Sequence, residues 1–499
     1  MGVFLCDTIL LVVLGLAIFI MANHVYIGNS SRADLLVSRE DHDHHFQTRK
    51  IQEWKSYFFQ RQHISLASSS SPTPALAPSL PLGTSSSRVY SVIAYGADPT
   101  GKIDSTEAIL AAISDAVSVA GNGELIQGIN NLGGVQINLE GGIYNISRPI
   151  KMPVAGRGNI LICGGTLKAS DNFTSDGYMI DLSASSSSNH DYTYEFVTLR
   201  DLMLDCNFKG GGIRAIDTLR TSIDNCYIAH FTTTGILVQR GHETYIRNSF
   251  LGQHITAGGD PSERNFTGTA IELQGNDNAI TDVVIFSAAV GIMISGQANI
   301  ITGVHCYNKA YGFGGTGIYL KVPGITQTRI VNSYFDYTGI VAEDPVQLHV
   351  SDCFFLGDSF IVLKSVRGVV DGINIVNNMF SGSNKGIDVV QLDQTNKEFT
   401  DIGQVVVDKN TANGMNLKAT VAKAATRVNG TSWTIDFNKI LLFPRRIKFV
   451  QHALMTDASN SFPSTILRNI SNNQVLIESN TKVEGSSSVS VDQGLWMSS

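Results

Sequence analysis

A short apolar pair, usually Gly-Ile, restarts along the chain at Ile213, Ile236, Ile271, Ile292, Ile318, Ile340 and Ile361, at steps of 23, 35, 21, 26, 22 and 21 residues. Each begins a segment of strand character: "GIRAI", "GILVQ", "AIELQ", "GIMIS", "GIYLK", "GIVAE" and "FIVLK". A second series falls between them: "IDNCYI", "IRNSFL", "ITDVVI", "IVNSYF", "VSDCFF" and "IVNNMF". Its third positions are Asn225, Asn248, Asp282, Asn332, Asp352 and Asn377. Units this short cannot bury their own apolar faces, so each must stack on its neighbours as a solenoid. Stacking superposes like residues, which predicts inner columns of Ile, Val and Leu and turn amides that hydrogen-bond along a ladder. The expected fold is all-β, a right-handed parallel β-helix running from about Gly134 to Leu392, with weaker periodicity at its start. A leucine-rich solenoid would need Leu-rich repeats that this chain lacks.

The flanks differ in texture. "RVYSVIAYGADPTGKIDSTEAILAAISDAV" reads as a strand, a turn cluster and an amphipathic helix. Asp104 and Glu107 stand at capping-box spacing, and Ile109, Ile113, Ala116, Val117 and Ala120 share one helical face. This predicts a short N-terminal capping helix on the solenoid. After Asn396 the segments "SWTIDFNKILLFP", "RRIKFVQHALM", "STILRNI" and "QVLIES" predict a small C-terminal antiparallel β domain, 396–499, that covers an otherwise unpaired edge. The β-helix domain is then 88–395. Upstream, 25–87 is Ser/Pro-rich and predicts a disordered linker, in which His42, His44 and His45 read as solvated rather than metal-binding. The apolar run Thr8–Ala22 makes residues 1–24 a signal peptide or an uncleaved signal anchor, the one route to a membrane.

With 16% charged residues and a formal charge of −7, the chain carries no nucleic-acid footprint. Six N-x-S/T triplets, at Asn29, Asn145, Asn172, Asn265, Asn429 and Asn469, point to a secreted glycoprotein. Beyond the leader, Cys163, Cys206, Cys226, Cys306 and Cys353 fit neither a zinc site nor a disulfide framework and read as buried core residues.

The opening "VYSVIAYGADPTGKIDSTEAI", the coil series, and the phrases "HITAGGDPSERNFTGTAI" and "GNDNAITDVVIFSAAVGI" resemble the plant QUARTET-type polygalacturonases of the pectate-lyase-like β-helix superfamily, over roughly residues 88 to 499. The resemblance implies hydrolysis of α-1,4-galacturonan in the plant cell wall, without metal or cofactor, and a role in tissue or pollen-tetrad separation. Polysaccharide is then the partner, and a monomer is expected. Most polygalacturonases carry Asn-Thr-Asp, Asp-Asp, Gly-His-Gly and Arg-Ile-Lys motifs. Here the first two places read "KGGGI" (209–213) and "TTTGI" (232–236), the nearest to the third is "GHE" at Gly241–Glu243, and "RIK" at Arg446–Lys448 lies beyond the coils.

Glycoside hydrolysis still needs two carboxyl groups, about 6.5–9.5 Å apart in an inverting enzyme. The stretch "GQHITAGGDPSERNFTGTAIEL" swells one coil and supplies Asp260, Glu263 and Arg264, with His254 at its base. Glu243 and His242 leave the preceding coil. The catalytic candidates are therefore Asp260, Glu263 and Glu243, with His242, His254, Arg264, His305 and Lys309 as substrate-binding candidates. Arg240 and Arg247 are further cations able to pair with uronates. Asp277, Asp282 and Asp352 read as turn residues, and the Tyr and Phe of the repeats as packing stacks. Two alternatives remain: a Ca-dependent pectate lyase, for which the coils show no dense Asp cluster, and a catalytically silent pectin-binding β-helix.

Overall fold

The computed structural model describes residues 88–184, 192–255, 265–307, 315–321, 326–456 and 462–494. The leader, the Ser/Pro-rich segment, Asn29, Asp260, Glu263, Arg264 and Lys309 lie outside these residues.

The repeat is a parallel β-helix. Ile213 stands beside Ile236, and the column continues through Ile271, Ile292, Ile318, Ile340 and Ile361 to Val390, every pair parallel. All seven isoleucines are fully buried, and each contributes roughly 1.5–3 kcal/mol by leaving water. The 35-residue step is a single coil, because Ile236 and Ile271 remain direct neighbours. These strands form the first of three strand series per coil. The second includes Ser222–Asp224, Tyr245–Arg247 and Ala279–Thr281; the third includes Tyr227–Ala229, Phe250–Gly252 and Val284–Phe286.

The turn between second and third series has the left-handed conformation at each predicted position: Asn225, Asn248, Asp282, Asn332, Asp352 and Asn377 have φ of 50–58°. Asn and Asp tolerate this geometry better than other side chains. Gly303 and Lys409 hold the same turn in coils that the sequence series had skipped. The hydrogen-bonded amide ladder, however, lies one residue later than the turn residue. In the turn between the first and second series, after Asp277 and Ala298, Asn278 Oδ1 accepts the Thr244 amide N–H at 2.9 Å and Asn299 Oδ1 accepts that of Asn278 at 3.0 Å. A second ladder stands in the turn between the second and third series, where Asn378 and Asn410 accept the amide N–H groups of Cys353 and Asn378. These four side chains are buried, where an unpaired backbone donor would cost the most.

Helix α1, Thr106–Val117, buries Ile109, Ala112, Ile113, Ala116 and Val117 against the first coils. The expected capping box does not form. Asp104 instead accepts the Thr106 backbone N–H at 3.0 Å and the Ser147 hydroxyl at 2.6 Å, while Glu107 pairs with Arg148. The helix ends before Ala120, which is exposed. At the other end, parallel pairing continues past residue 395: Asp401–Asp408 lies beside Val369–Val376, and Thr411–Asn413 beside Met379–Ser381. This last coil keeps the second and third series without another Gly-Ile segment, which is why its pattern faded in the sequence. The antiparallel sheet comprises Val421–Asp436, Phe449–Thr456, Thr465–Ser471 and Gln474–Asp492. It has its own core around Trp433, Ile435, Val475, Ile477 and Val491.

All five described cysteines are buried and free, as expected.

Candidate active site

Strand side chains alternate between faces, so the residue after each inward isoleucine points out of the first series. Register assembles these into one column: Lys151, Asp181, Arg214, Leu237, Glu272, Met293, Tyr319, Val341, Val362 and Gln391. Neighbours are about 4.8 Å apart along the axis. Most of this column is half-buried, and it makes the floor of an elongated face that mixes charge with apolar surface.

At its start Asp181 is fully buried. It accepts Arg214 Nε at 3.0 Å and Nη2 at 2.5 Å, the Ser183 hydroxyl at 2.6 Å, and lies 3.1 Å from Lys151 Nζ. Burial alone would raise its pKa, but the bonds from Arg214, Ser183 and Lys151 outweigh it and hold the carboxyl below its usual range. The Arg214 guanidinium lies 5.2 Å from the Tyr178 ring centroid. Arg148, Lys151, Thr174, Asp176, Tyr178 and Arg214 line a cleft of about 360 Å³ here. Burial pushes the Tyr178 phenol up. Gly211 makes this crossing possible: a Cβ there would stand 2.7 Å from the Tyr178 ring and 2.3 Å from the Thr234 carbonyl oxygen. The "KGGGI" that replaces a family motif is thus the floor beneath Tyr178.

Glu272 lies two coils beyond Arg214. Gln274 Nε2 donates to its Oε1 at 2.5 Å, which orients the carboxyl, and the Glu272 charge adds to the upward shift of Tyr178. Its strand, Thr269–Asn276, follows the swollen loop directly. At the base of that loop Gln253 is buried, accepts the Thr267 backbone N–H at 2.5 Å and donates to the Phe231 carbonyl at 3.0 Å. His254 is buried beside Phe208, 5.5 Å between ring centroids.

The other predicted residues lie elsewhere. Glu243 is a left-handed turn residue (φ 53°) in a column of such turns with Phe196, Arg220 and Asp277, and it accepts Arg220 Nε at 2.7 Å. It follows the end of strand Thr234–His242, whereas the loop returns beside the strand's start, where Thr234 faces Thr269. Eight strand residues, about 25 Å, separate the two, so the structure does not bring Glu243 to the loop's base. His242 stays at that far end, its Nδ1 3.2 Å from Asp277 Oδ2. His305 is on the third series, edge-on to Tyr334 at 4.5 Å, and not on the first-series face. Arg240 is forked onto Asp217 and Arg247 pairs with Asp224. The "RIK" stretch is structural: Arg446 donates to the Ile402 carbonyl.

Asp181, Arg214, Glu272, Gln274, Tyr319, Glu343 and Lys364 were missed as site residues. All but Asp181 stood inside the quoted repeats, at the second or fourth letters of "IRAI", "IELQ", "IYLK" and "IVAE" or the last of "FIVLK". The period-two alternation that made the first and third letters core marks these as outward.

Comparison with known proteins decides the family. Over 436 residues the chain is 59% identical to Polygalacturonase QRT3 of Arabidopsis thaliana, covering 87% of this chain and 89% of that one. The chain belongs to the QUARTET-type polygalacturonase family. It is therefore a polygalacturonase-type glycoside hydrolase on a parallel β-helix. No family model matches it. Among solved structures, an endo-xylogalacturonan hydrolase from Aspergillus tubingensis is similar at TM-score 0.48 and 13% identity, over 66% of this chain and 95% of that one. ORF18 of Geobacillus virus E2 is similar at TM-score 0.47 and 13% identity, over 82% of this chain and 79% of that one.

Proposed function

We propose that this polygalacturonase hydrolyses α-1,4-galacturonan laid along the outward face of the first strand series, by an inverting mechanism using Glu272 and one acid of the adjoining loop, Asp260 or Glu263. The observation that carries this reading is the outward column itself, with Glu272 oriented by Gln274 and cations two and four coils away at Arg214 and Lys151. One carboxyl, protonated, gives its proton to the leaving glycosidic oxygen; the other, ionised, takes a proton from the water that attacks the anomeric carbon. Arg214 offers a uronate carboxylate its remaining N–H groups, and Asp181 fixes its orientation. His254 supports the base of the loop, and Arg264 and Lys309 are further cations for uronates. Glu243, held in a turn by Arg220, orders the scaffold. The enzyme is secreted to the cell wall as a glycosylated monomer, where it acts in cell or pollen-tetrad separation.

The test is an assay of the full chain, made in a glycosylating host, on polygalacturonic acid in the presence of chelator. Reducing ends and ultraviolet absorbance are followed together. New reducing ends without absorbance are expected; absorbing, unsaturated ends would mean a lyase. Glu272→Gln, and either Asp260→Asn or Glu263→Gln, should lower kcat by about 10²–10⁴, while Glu243→Gln retains activity. Binding without turnover by wild-type protein would refute the hydrolase and leave a pectin-binding β-helix.

A further inference from the structure

On the side of Glu272 away from Arg214, the same face carries a second polar cluster. Tyr319 lies two coils from Glu272 in the outward column. Glu343 and Lys364 stand side by side one outward position further along their strands. Tyr319 Oη donates to Glu343 Oε1 at 2.5 Å, and Lys364 Nζ donates to that oxygen at 3.0 Å and to Tyr319 Oη at 3.2 Å. The ammonium is 5.8 Å from the Tyr319 ring centroid. The surrounding outward positions, Met293, Val341 and Val362, are apolar and half-buried.

The fold does not require this cluster. The inward neighbours Leu320, Ala342 and Leu363 are fully buried and supply the packing of these coils, whereas a partly exposed ion pair adds little stability. The geometry does suit an anionic sugar. An ammonium has three N–H groups, and two are engaged by Glu343 and Tyr319. Glu343 stays ionised: burial would raise its pKa, but the bonds from Tyr319 and Lys364 bring it below the usual range. It therefore holds Lys364 over the face instead of letting the long side chain swing into solvent.

We infer that Tyr319, Glu343 and Lys364 form a remote uronate subsite. Lys364 pairs with a galacturonate carboxylate, the Tyr319 ring and the Val341–Val362 floor receive the apolar face of the sugar, and Glu343 is the positioning residue. The inference rests on the reading that galacturonan lies along the first-series face. Glu272 and Lys364 belong to strands four coil steps apart, about 19 Å, so only an oligomer spanning that distance engages both.

The test is calorimetric binding of oligogalacturonides of increasing length to the full-length enzyme, together with KM and kcat for each length. Lys364→Met and Tyr319→Ala should weaken binding of long oligomers about tenfold, the scale of one charge-assisted contact, and raise KM while kcat holds. The loss should shrink as the oligomer shortens. Lys364→Arg keeps the charge and should recover most of the affinity, and Glu343→Gln should fall between. Equal weakening at every length, or none at any length, would overturn the subsite. Wild-type protein that binds without turnover would sink the hydrolase reading alone, since the length dependence of binding still judges the subsite.

Discussion

Replacing Asp181 with Asn tests whether the anion at the start of the face organises its cations. Asp181 is fully buried and receives two bonds from Arg214, one from Ser183 and the ammonium of Lys151. Breaking a buried ion pair from one side typically costs about 3–5 kcal/mol, because the partner charge is left uncompensated. Here the orphaned cations are only partly enclosed, with side-chain exposures of 30% for Arg214 and 45% for Lys151. Water can take over part of the solvation, which lowers the expected loss to about 2 kcal/mol. The folded pKa of Asp181 is depressed, so its contribution is fully present above the unfolded value of about 3.9. It is lost as pH falls through the folded value. The difference between Asp181→Asn and wild type should therefore be the same at pH 7 and pH 5 and shrink below about pH 4. Denaturant midpoints across that range measure it. Adding Arg214→Met should recover part of the loss, because the double variant leaves one fewer unpaired cation. Equal stability of Asp181→Asn and wild type at neutral pH, or strictly additive effects in the cycle, would refute the reasoning.

Two further outcomes follow from the structure. Gly211→Ala should unfold at lower temperature and raise KM together, since its Cβ meets the Tyr178 ring at 2.7 Å and the Thr234 carbonyl at 2.3 Å; a loss of about 1–3 kcal/mol is the scale of overpacking, and a wild-type melting curve would contradict it. Peptide mapping of secreted protein should find glycans at Asn172, Asn265, Asn429 and Asn469, all exposed. It should find Asn145 bare, because its Nδ2 donates to the Gly101 carbonyl at 2.6 Å between paired strands, and occupancy there would contradict that geometry.

The two halves of this molecule differ in how far their sequence could be read, and the difference has a physical cause. Inward positions recur because each coil packs on the next: Ile271 must suit both Ile236 and Ile292, so the packing problem writes itself out once per turn. Turn positions recur because the left-handed conformation selects Asn, Asp or Gly, as at Asn248, Asp282 and Gly303. The amide ladder was harder, since Asn278 and Asn299 are followed in the next two coils by Thr328 and Leu348 rather than by another Asn. Outward positions answer to no such constraint. Leu237, Glu272, Met293 and Tyr319 succeed one another with no pattern, whereas the charges of the swollen loop and of "RGHE" are conspicuous in the sequence. Glu243 stood out there for its charge, but its backbone is a turn of the same column as Asp277, and its carboxyl serves Arg220. In a solenoid the chemistry is what is left when the period is subtracted. The informative residue is therefore the one that breaks register-matched company: Glu272 between Leu237 and Met293, and Tyr319 between Met293 and Val341.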